Sequence, residues 1–487
     1  MPLNLYNTAN RRKELFQPIK EGKANIYVCG VTVYDFCHIG HARSTIVFDV
    51  LARYLRATGL EVTYVRNFTD VDDKIIKRAN ESGQTASELA HKFIDAFYED
   101  MDCLHVLRAD AEPCATDHIE GMIQMINTLL ERGYAYSEGT DVYFSVTSFK
   151  GYGQLSGRKI EDMQAGSRIA VDIRKRHPMD FVLWKGAKPG EPQWDSPWGQ
   201  GRPGWHLECS VMSNYFLGSS FDIHGGGKDL LFPHHENERA QSLCANQGSF
   251  AKYWMHNGFV TVEGEKMSKS LGNFLTIRDA LSLYHHEVLR LFLLSKHYRS
   301  PLDFSKKEVL AQQTGLVRIY RLLKRLDEFL GPDTEEQSKE PEAFLDGNFH
   351  DSFLAEFIKI MDDDLNTAGA VGLIFEKVRI LNKRLDAMPE DVEQTSLDQL
   401  LPERRQLLLA GRVLGLFQGI PADFFKEVSG QQEETISSTK IEALVAKRAE
   451  AKAKKDWARA DEIRDSLKSM GIILEDGPQG TSWRMDV

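Results

Sequence analysis

Cysteine is scarce in this chain: six among 487 residues, with no Cys-x-x-Cys. That excludes a disulfide-scaffolded fold and leads us to expect a reducing compartment, the cytoplasm. No apolar run is long enough to cross a bilayer, so no membrane partner is expected. The first residues, Met1 to Lys13, are polar and lack the apolar core of a secretory signal. There is no internal repeat and no long low-complexity tract. Positive charge is in deficit: 60 Lys and Arg stand against 71 Asp and Glu, a net charge of −11. A whole-chain acid excess argues against a nucleic-acid partner, but binding depends on local patches. Two segments lean basic. One runs from Arg158 to Lys185 and includes Arg168, Arg174, Lys175 and Arg176. The other runs from Lys447 to Arg464 and includes Arg448, Lys452, Lys454, Lys455 and Arg459. Each suits a phosphate backbone, and each equally suits a solvated helix face.

The length allows several domains and a large core. Up to about residue 110, strand-like and helix-like patterns alternate. Ile26-Tyr27-Val28 and Val31-Thr32-Val33-Tyr34 are β-branched and aromatic, and Glu61 to Phe68 reads as a second strand. Such alternation predicts a parallel Rossmann-type sheet with helices on both faces. Residues 111–198 break the rhythm with a helix (His118 to Arg132), a hairpin-like stretch (Tyr134 to Val146) and a Gly-rich basic loop. The sheet pattern resumes over 199–304. From 305 to 426 the pattern is helical, with Leu316, Ile319, Tyr320, Leu322 and Leu323 as its apolar stripe. Gly331 to Glu342 reads as an exposed loop and Glu427 to Lys440 as a linker. A small module, 441–487, closes the chain.

Two short motifs carry the chemistry. His38-Ile39-Gly40-His41 follows the first strand. Gly40 permits a tight turn, and from Arg43 onward Ile46, Val47, Val50, Leu51, Tyr54 and Leu55 recur at helical spacing. A strand, a turn and a helix N-terminus form an anion site, where two histidines can donate to a triphosphate. On the tetrapeptide alone, two surface histidines in an ordinary βα turn is the better reading. Lys266-Met267-Ser268-Lys269-Ser270 lies between Gly264 and Gly272; its lysines suit phosphate oxygens, though a solvated loop is the commoner fate of such a pair. In Phe232-Pro233-His234-His235-Glu236-Asn237-Glu238, Pro233 suits a first helical turn. His234 and Glu238, four apart, then share a face that can grip a metal.

The two motifs in this order are the HIGH and KMSKS signatures of class I aminoacyl-tRNA synthetases. The chain resembles the cysteine-specific family among them, through Tyr27-Val28-Cys29-Gly30-Val31-Thr32-Val33-Tyr34-Asp35, Gly204 to Ser210, Phe221 to Asp229 and Phe232 to Glu238. The resemblance runs from the N-terminus into the C-terminal module. It implies an α/β class I fold: a catalytic domain in two halves (1–110 and 199–304), a connective insertion (111–198), a helical bundle (305–426) and an anticodon-binding module (441–487). The resemblance, not spacing, joins Cys29, Cys209, His234 and Glu238 into one zinc site, a plausible donor set. The implied substrates are ATP with Mg2+, L-cysteine and tRNA(Cys), handled by a monomer.

Further roles follow from the same resemblance. His38, Gly40, His41, Lys266 and Lys269 bind ATP, and the histidines and lysines among them stabilise the leaving pyrophosphate. No side-chain nucleophile is needed. One zinc ion per chain with an open position would bind a thiolate far better than the alcohol of serine, which shape alone rejects poorly. Trp205, His206, His224 and His256 line or support the pocket. Cys37, Cys103, Cys114 and Cys244 are ordinary thiols. Trp457, Asp461 and Asp476 match the anticodon-reading pattern, where an indole stacks on a base and carboxylates accept from base amino groups; Trp457 otherwise reads as a core aromatic. Position 452 is Lys, so a forked arginine contact is lost there. Two rivals are weaker. A ligase joining cysteine to an amino sugar would lack residues 441–487. A non-catalytic RNA-binding or zinc-structural descendant would not need both motifs and all four donors.

Overall fold

The computed structural model describes residues 3–159, 174–248, 250–267, 274–331, 352–388, 394–435, 438–453, 456–469, 472–477 and 480–485. They form two compact units: Met1–Leu281 with His286–Pro421, and Ser282–His285 with Ala422–Val487.

In the first unit, a short hairpin of β1 (Asn4–Asn7) and β2 (Arg12–Leu15) precedes the central sheet. That sheet is parallel: β3 (Lys23–Thr32), β4 (Glu61–Thr69), β9 (Phe221–Gly227) and β10 (Ala251–Asn257), in the order β10-β9-β3-β4. Ala24, Ile26, Tyr27 and Val28 of β3 are buried, as a central parallel strand requires. The two apolar runs of the sequence prove to be one strand whose register against β4 slips between Val28 and Val31. A Cβ on Gly30 would lie 1.6 Å from the Asn67 carbonyl oxygen, so only glycine allows this approach. Cys29 sits at that irregularity.

The helix Ile39–Ala57 buries Ile46, Val47, Val50, Leu51, Tyr54 and Leu55. It begins at Ile39 rather than near Arg43, because the His38 side chain caps it. Asp49 on this helix is fully enclosed, 2.9 Å from Arg53 and paired with Arg290, while the Leu107 N–H donates to it at 3.0 Å. Those contacts tie the sheet-covering helix to His286–Leu294 and, through Arg290 and the Leu414 carbonyl, to the bundle.

Between β4 and β9 lie the helix Ile119–Glu131 and an antiparallel sheet of β5 (Ala135–Glu138), β6 (Asp141–Phe144), β7 (Phe181–Gly186) and β8 (Gly201–Pro203). The hairpin read in the sequence is β5 and β6; β7 and β8 extend it. Lys185 and Arg202 of these added strands both pair with Asp73, just past β4. After β10, a small sheet of β11 (Val260–Val262), β12 (Glu265–Lys266) and β13 (Leu302–Phe304) precedes the helices Lys306–Leu330, Phe353–Met361, Thr367–Asp386 and Gln394–Leu414. Leu316, Ile319, Tyr320, Leu322 and Leu323 are buried as the stripe predicts. The loop expected over Gly331 to Glu342 lies outside the described residues beyond Gly331.

The second unit holds the helices Pro421–Thr435, Ser438–Ala453 and Trp457–Ser469, then the hairpin of β14 (Ile472–Gly477) and β15 (Gly480–Met485). The expected linker over Glu427 to Lys440 is helical in its described part. Glu and Gln are good helix formers, and the polarity that suggested a linker does not oppose a helix. In place of the single helix expected from Ile441 to Met470 there are two, the first ending at Ala453 and the second starting at Trp457, and the Asp456 side chain accepts from the Arg459 N–H. No helix among the described residues is long and apolar enough to cross a membrane.

Candidate active site and metal centre

Three separate elements bring four donors together. Cys29 comes from the β3 irregularity, Cys209 from the helix Trp205–Leu217, and His234 and Glu238 from the segment after β9. Pro233 is not in the first turn of the α-helix as expected. It follows a cis bond from Phe232 in a turn over Leu231–His235, and the helix proper is Glu236–Ala245. His234 and Glu238 nevertheless meet, Nε2 to Oε1 at 3.0 Å. Cys29 Sγ lies 3.5 Å from Cys209 Sγ and 3.2 Å from Glu238 Oε1, and Cys209 Sγ lies 3.6 Å from His234 Nε2. All four donors are buried within 4.8 Å of one another. Metal–ligand bonds of about 2.0–2.3 Å give tetrahedral edges of roughly 3.3–3.8 Å, so this cluster has the dimensions of a metal centre.

Its electrostatics agree. Burial first, then Cys209 and Glu238, push the Cys29 thiol well up. Burial likewise takes Cys209 up to about 11, and burial takes His234 down to about 3, leaving a neutral imidazole. Burial would raise Glu238, but His224 and His234 outweigh it and hold the carboxyl below its ordinary range. A divalent cation among these donors favours thiolates outright.

The surroundings orient the donors. His224 Nε2 lies 2.8 Å from Glu238 Oε2, so Oε1 faces the cluster. His206 Nδ1 lies 2.9 Å from His234 Nδ1, which leaves His234 Nε2 for the other donors. The Trp205 ring packs against His234 with centroids 4.1 Å apart, and it is 36% exposed. His256 does not reach the four donors; it contacts His235 Nδ1 at 2.8 Å and Thr8 Oγ1 at 2.8 Å. His235 belongs to a second candidate donor set with Cys29, His224 and Glu238. We favour the first set, because His235 Nε2 stands 4.0 Å from Glu238 Oε1 and His224 is already committed to Oε2. Doubled histidines at 234–235 were a visible but ambiguous signal. Asn67, 2.9 Å from the Gly30 N–H and 3.6 Å from Cys209 Sγ, had no signal in the sequence.

His38 and His41 close the start of their helix reciprocally. The Gly40 N–H donates to His38 Nδ1 at 3.1 Å, and the His38 N–H donates to His41 Nδ1 at 3.2 Å. With both Nδ1 atoms accepting, each neutral ring carries its proton on Nε2, a donor suited to phosphate. Burial, then His38 and Lys74, hold His41 well below its ordinary pKa. The rings stack at 3.8 Å. Gly40 is not a turn residue as expected. It lies in the first helical turn, and a Cβ there would sit 2.8 Å from His38 Cε1.

The second motif starts beside the first. That same Cβ would lie 3.5 Å from Met267 Cε. On the far side of the motif, the Ile39 N–H donates to Leu275 O at 3.2 Å, the Ile277 N–H donates to Cys37 O at 2.9 Å, and Phe274 meets the His38 ring edge-on. Lys266 is the last residue of β12, paired with Thr261; Lys269 lies outside the described residues.

In the second unit, Trp457 opens its helix and is 60% exposed, which removes the core-aromatic reading. Asp461 lies 3.2 Å from Arg464, and Asp476 is in β14, opposite Thr481. Arg448 is buried and is no exposed phosphate ligand. In the other basic segment, Arg174 pairs with Asp141 at 2.5 Å and Arg176 covers the Tyr136 ring; Arg168 lies outside the described residues.

A parallel sheet with a stacked histidine pair at its first helix and a lysine loop rooted beside it defines a class I aminoacyl-tRNA synthetase. Residues 15–314 match the model of the tRNA synthetases class I (C) catalytic domain, 356–418 the DALR domain, and 438–484 the cysteinyl-tRNA ligase anticodon binding domain. The chain belongs to the cysteine–tRNA ligase family: it is 53% identical to the cysteine–tRNA ligase of Pelobacter propionicus over the whole of both chains, and 52% identical to that of Magnetococcus marinus over 99% of this chain and 98% of the relative. Among solved structures, methionyl-tRNA synthetase of Mycobacterium tuberculosis in complex with methionyl-adenylate shares the fold at 16% identity, with a TM-score of 0.57, covering 85% of this chain and 92% of that one.

Proposed function

We propose that this chain joins L-cysteine to ATP to form cysteinyl-adenylate, then passes the cysteinyl group to the 3′ end of tRNA(Cys). The observation that carries this reading is the buried Cys29–Cys209–His234–Glu238 cluster in the same unit as the paired His38–His41 and the root of the lysine loop. The cysteine carboxylate attacks the α-phosphate of ATP, and pyrophosphate leaves. His38 and His41 donate from Nε2 to the triphosphate, while Lys266 and Lys269 meet the charge growing on the pyrophosphate; Mg2+ travels with the nucleotide. Catalysis is thus positioning plus charge stabilisation. Cys29, Cys209, His234 and Glu238 would hold a zinc ion, which would supply the affinity for a thiolate that separates cysteine from serine.

Trp205 and His206 pack on His234 and support the pocket. His224 orients Glu238. Residues 1–110 and 199–304 form the catalytic halves, 111–198 the insertion and 305–426 the bundle. Residues 441–487 read the anticodon through exposed Trp457, with Asp461 and Asp476. The enzyme works as a monomer in a reducing cytoplasm; all six cysteines are free.

The test is cysteine-dependent ATP–pyrophosphate exchange measured beside tRNA(Cys) charging, on the whole chain and on a chain ending before Ile441. The truncated chain should keep exchange and lose most charging. No exchange in the whole chain would refute the reading. Equal loss of both by a folded truncated chain would make residues 441–487 a support for the catalytic unit.

A further inference from the structure

Arg43 lies two positions after His41 in the same helix and is fully enclosed. Its guanidinium donates to five backbone carbonyls. Nη1 reaches Gly258 O at 3.2 Å and Phe259 O at 2.8 Å. Nη2 reaches His297 O at 3.3 Å, Tyr298 O at 3.3 Å and Ser300 O at 2.5 Å. Among the described residues no carboxylate pairs with it, and burial alone moves its pKa, down to about 10. A buried charge held only by carbonyl dipoles is expensive, so its geometry carries the reason for its presence.

The two gripped segments are the roots of one small sheet. Gly258 and Phe259 lead into β11, whose partner β12 ends at Lys266. Residues 297–300 lead into β13, on the other side of β11. The segments also join each other, with the Gly258 N–H donating to Tyr298 O at 2.8 Å and the Leu302 N–H to Phe259 O at 3.0 Å. One side chain therefore fastens the helix that His38 caps and His41 opens to the roots of β11 and β13, and β11 in turn pairs with β12, at whose end the lysine motif begins. A planar fork spans two segments at once, whereas a lysine ammonium is a single point.

We propose that Arg43 is a positioning residue for the activation step, setting the register between the histidine pair and the KMSKS loop. This rests on the roles given above to those four side chains. It touches neither substrate nor metal and acts only through the sheet it grips.

The test uses the full chain with Arg43→Lys and, separately, Gly258→Ala. The second variant keeps the guanidinium, but its Cβ would lie 2.5 Å from Ser300 O and 2.8 Å from Arg299 O, which forces apart the segments Arg43 holds. Folding is checked by circular dichroism and thermal melting, metal by atomic spectrometry, and activation by cysteine-dependent ATP–pyrophosphate exchange. Both folded variants should keep wild-type metal content and a KM for cysteine within about twofold, while exchange kcat falls on the order of 100-fold, the cost of about 1 Å misplacement. If Arg43→Lys does not fold, Gly258→Ala decides alone. A kcat within about threefold of wild type overturns the proposal, and so does a parallel loss of metal and cysteine affinity, which marks general disruption. An absence of exchange in the wild-type protein overturns the activity reading itself, an outcome distinct from either.

Discussion

Cys29 Sγ and Cys209 Sγ lie 3.5 Å apart although 180 positions separate them in the chain. The pair links a strand of the first half of the sheet to a helix that precedes the second half. If these donors hold the proposed metal, removing one thiol should undo a site that no single element can build. Cys209→Ser is expected to lower metal affinity by more than about 100-fold, since even outer supports of such centres contribute 10–100-fold. Cysteine-dependent exchange should disappear with the metal. Atomic spectrometry after dialysis checks the first, and a variant that keeps about one zinc per chain with unchanged cysteine affinity would refute the donor assignment.

His41→Ala should act on a different quantity. Metal content and cysteine binding should stay near wild type while adenylate formation slows roughly 10²–10³-fold, the usual effect of losing one donor to developing charge. Lys269→Ala should behave in the same way. Rapid-quench measurement of adenylate separates the two effects, and a normal rate in either variant would remove that residue from the mechanism.

Gly30→Ala places a Cβ 1.6 Å from the Asn67 carbonyl oxygen. Backbone opposes backbone, so no side chain can swing aside. We expect destabilisation of about 3 kcal/mol or more, the upper end of the overpacking range, with reduced metal content because Cys29 is adjacent. Denaturant unfolding measures it; a variant as stable as wild type would show that β3 and β4 separate freely here.

Stability should depend on pH through His105. Burial, then His286, Arg290 and Arg53, bring its pKa down to about 3. The unfolded value is about 6.5. Above the unfolded value both states are neutral and pH has no leverage. As pH falls from about 6.5 toward 3, the unfolded chain takes a proton that the folded chain refuses, so stability declines by up to about 1.4 kcal/mol per unit. His105 has φ of 54°, which asparagine tolerates. His105→Asn should flatten stability between about pH 6.5 and 5 relative to wild type; parallel curves for the two proteins would exclude the histidine as the source.

Trp457→Ala should weaken tRNA charging by the equivalent of about 1–3 kcal/mol, the cost of one base–aromatic stack. Its ring is exposed at a helix start, so folding should be unaffected. Exchange measured without tRNA should not change, and equal charging by variant and wild type would move anticodon reading elsewhere.

Much of this site was legible because its motifs are short and local. The His38–His41 pair, the His234–Glu238 spacing and the apolar stripe of Ile39–Ala57 each depend on residues a turn apart. Joining Cys29 to Cys209 was not a matter of spacing at all and came only from resemblance. Arg43 was invisible, because its partners are backbone carbonyls, which leave no trace in side-chain pattern. The strands β7 and β8 escaped notice because short antiparallel strands with Gly and Pro at their ends show little alternation. Residues 427–435 were misread since a polar run rich in Glu and Gln describes an exposed helix as well as a linker.

The strand β3 pairs with β4 on one side and β9 on the other, and Cys29 meets Glu238, 209 positions later. A chain leaving the ribosome in order therefore shows β3 and β4 long before β9 exists. At about 5–20 residues per second, that interval is roughly 10–40 s. Throughout it, one edge of β3 is open to any other strand, and the Cys29 thiol has none of its later neighbours to shield it. Every residue inserted between β4 and β9 lengthens that interval, so the length of the intervening chain sets how long the β9-facing edge of β3 stays unpaired during synthesis.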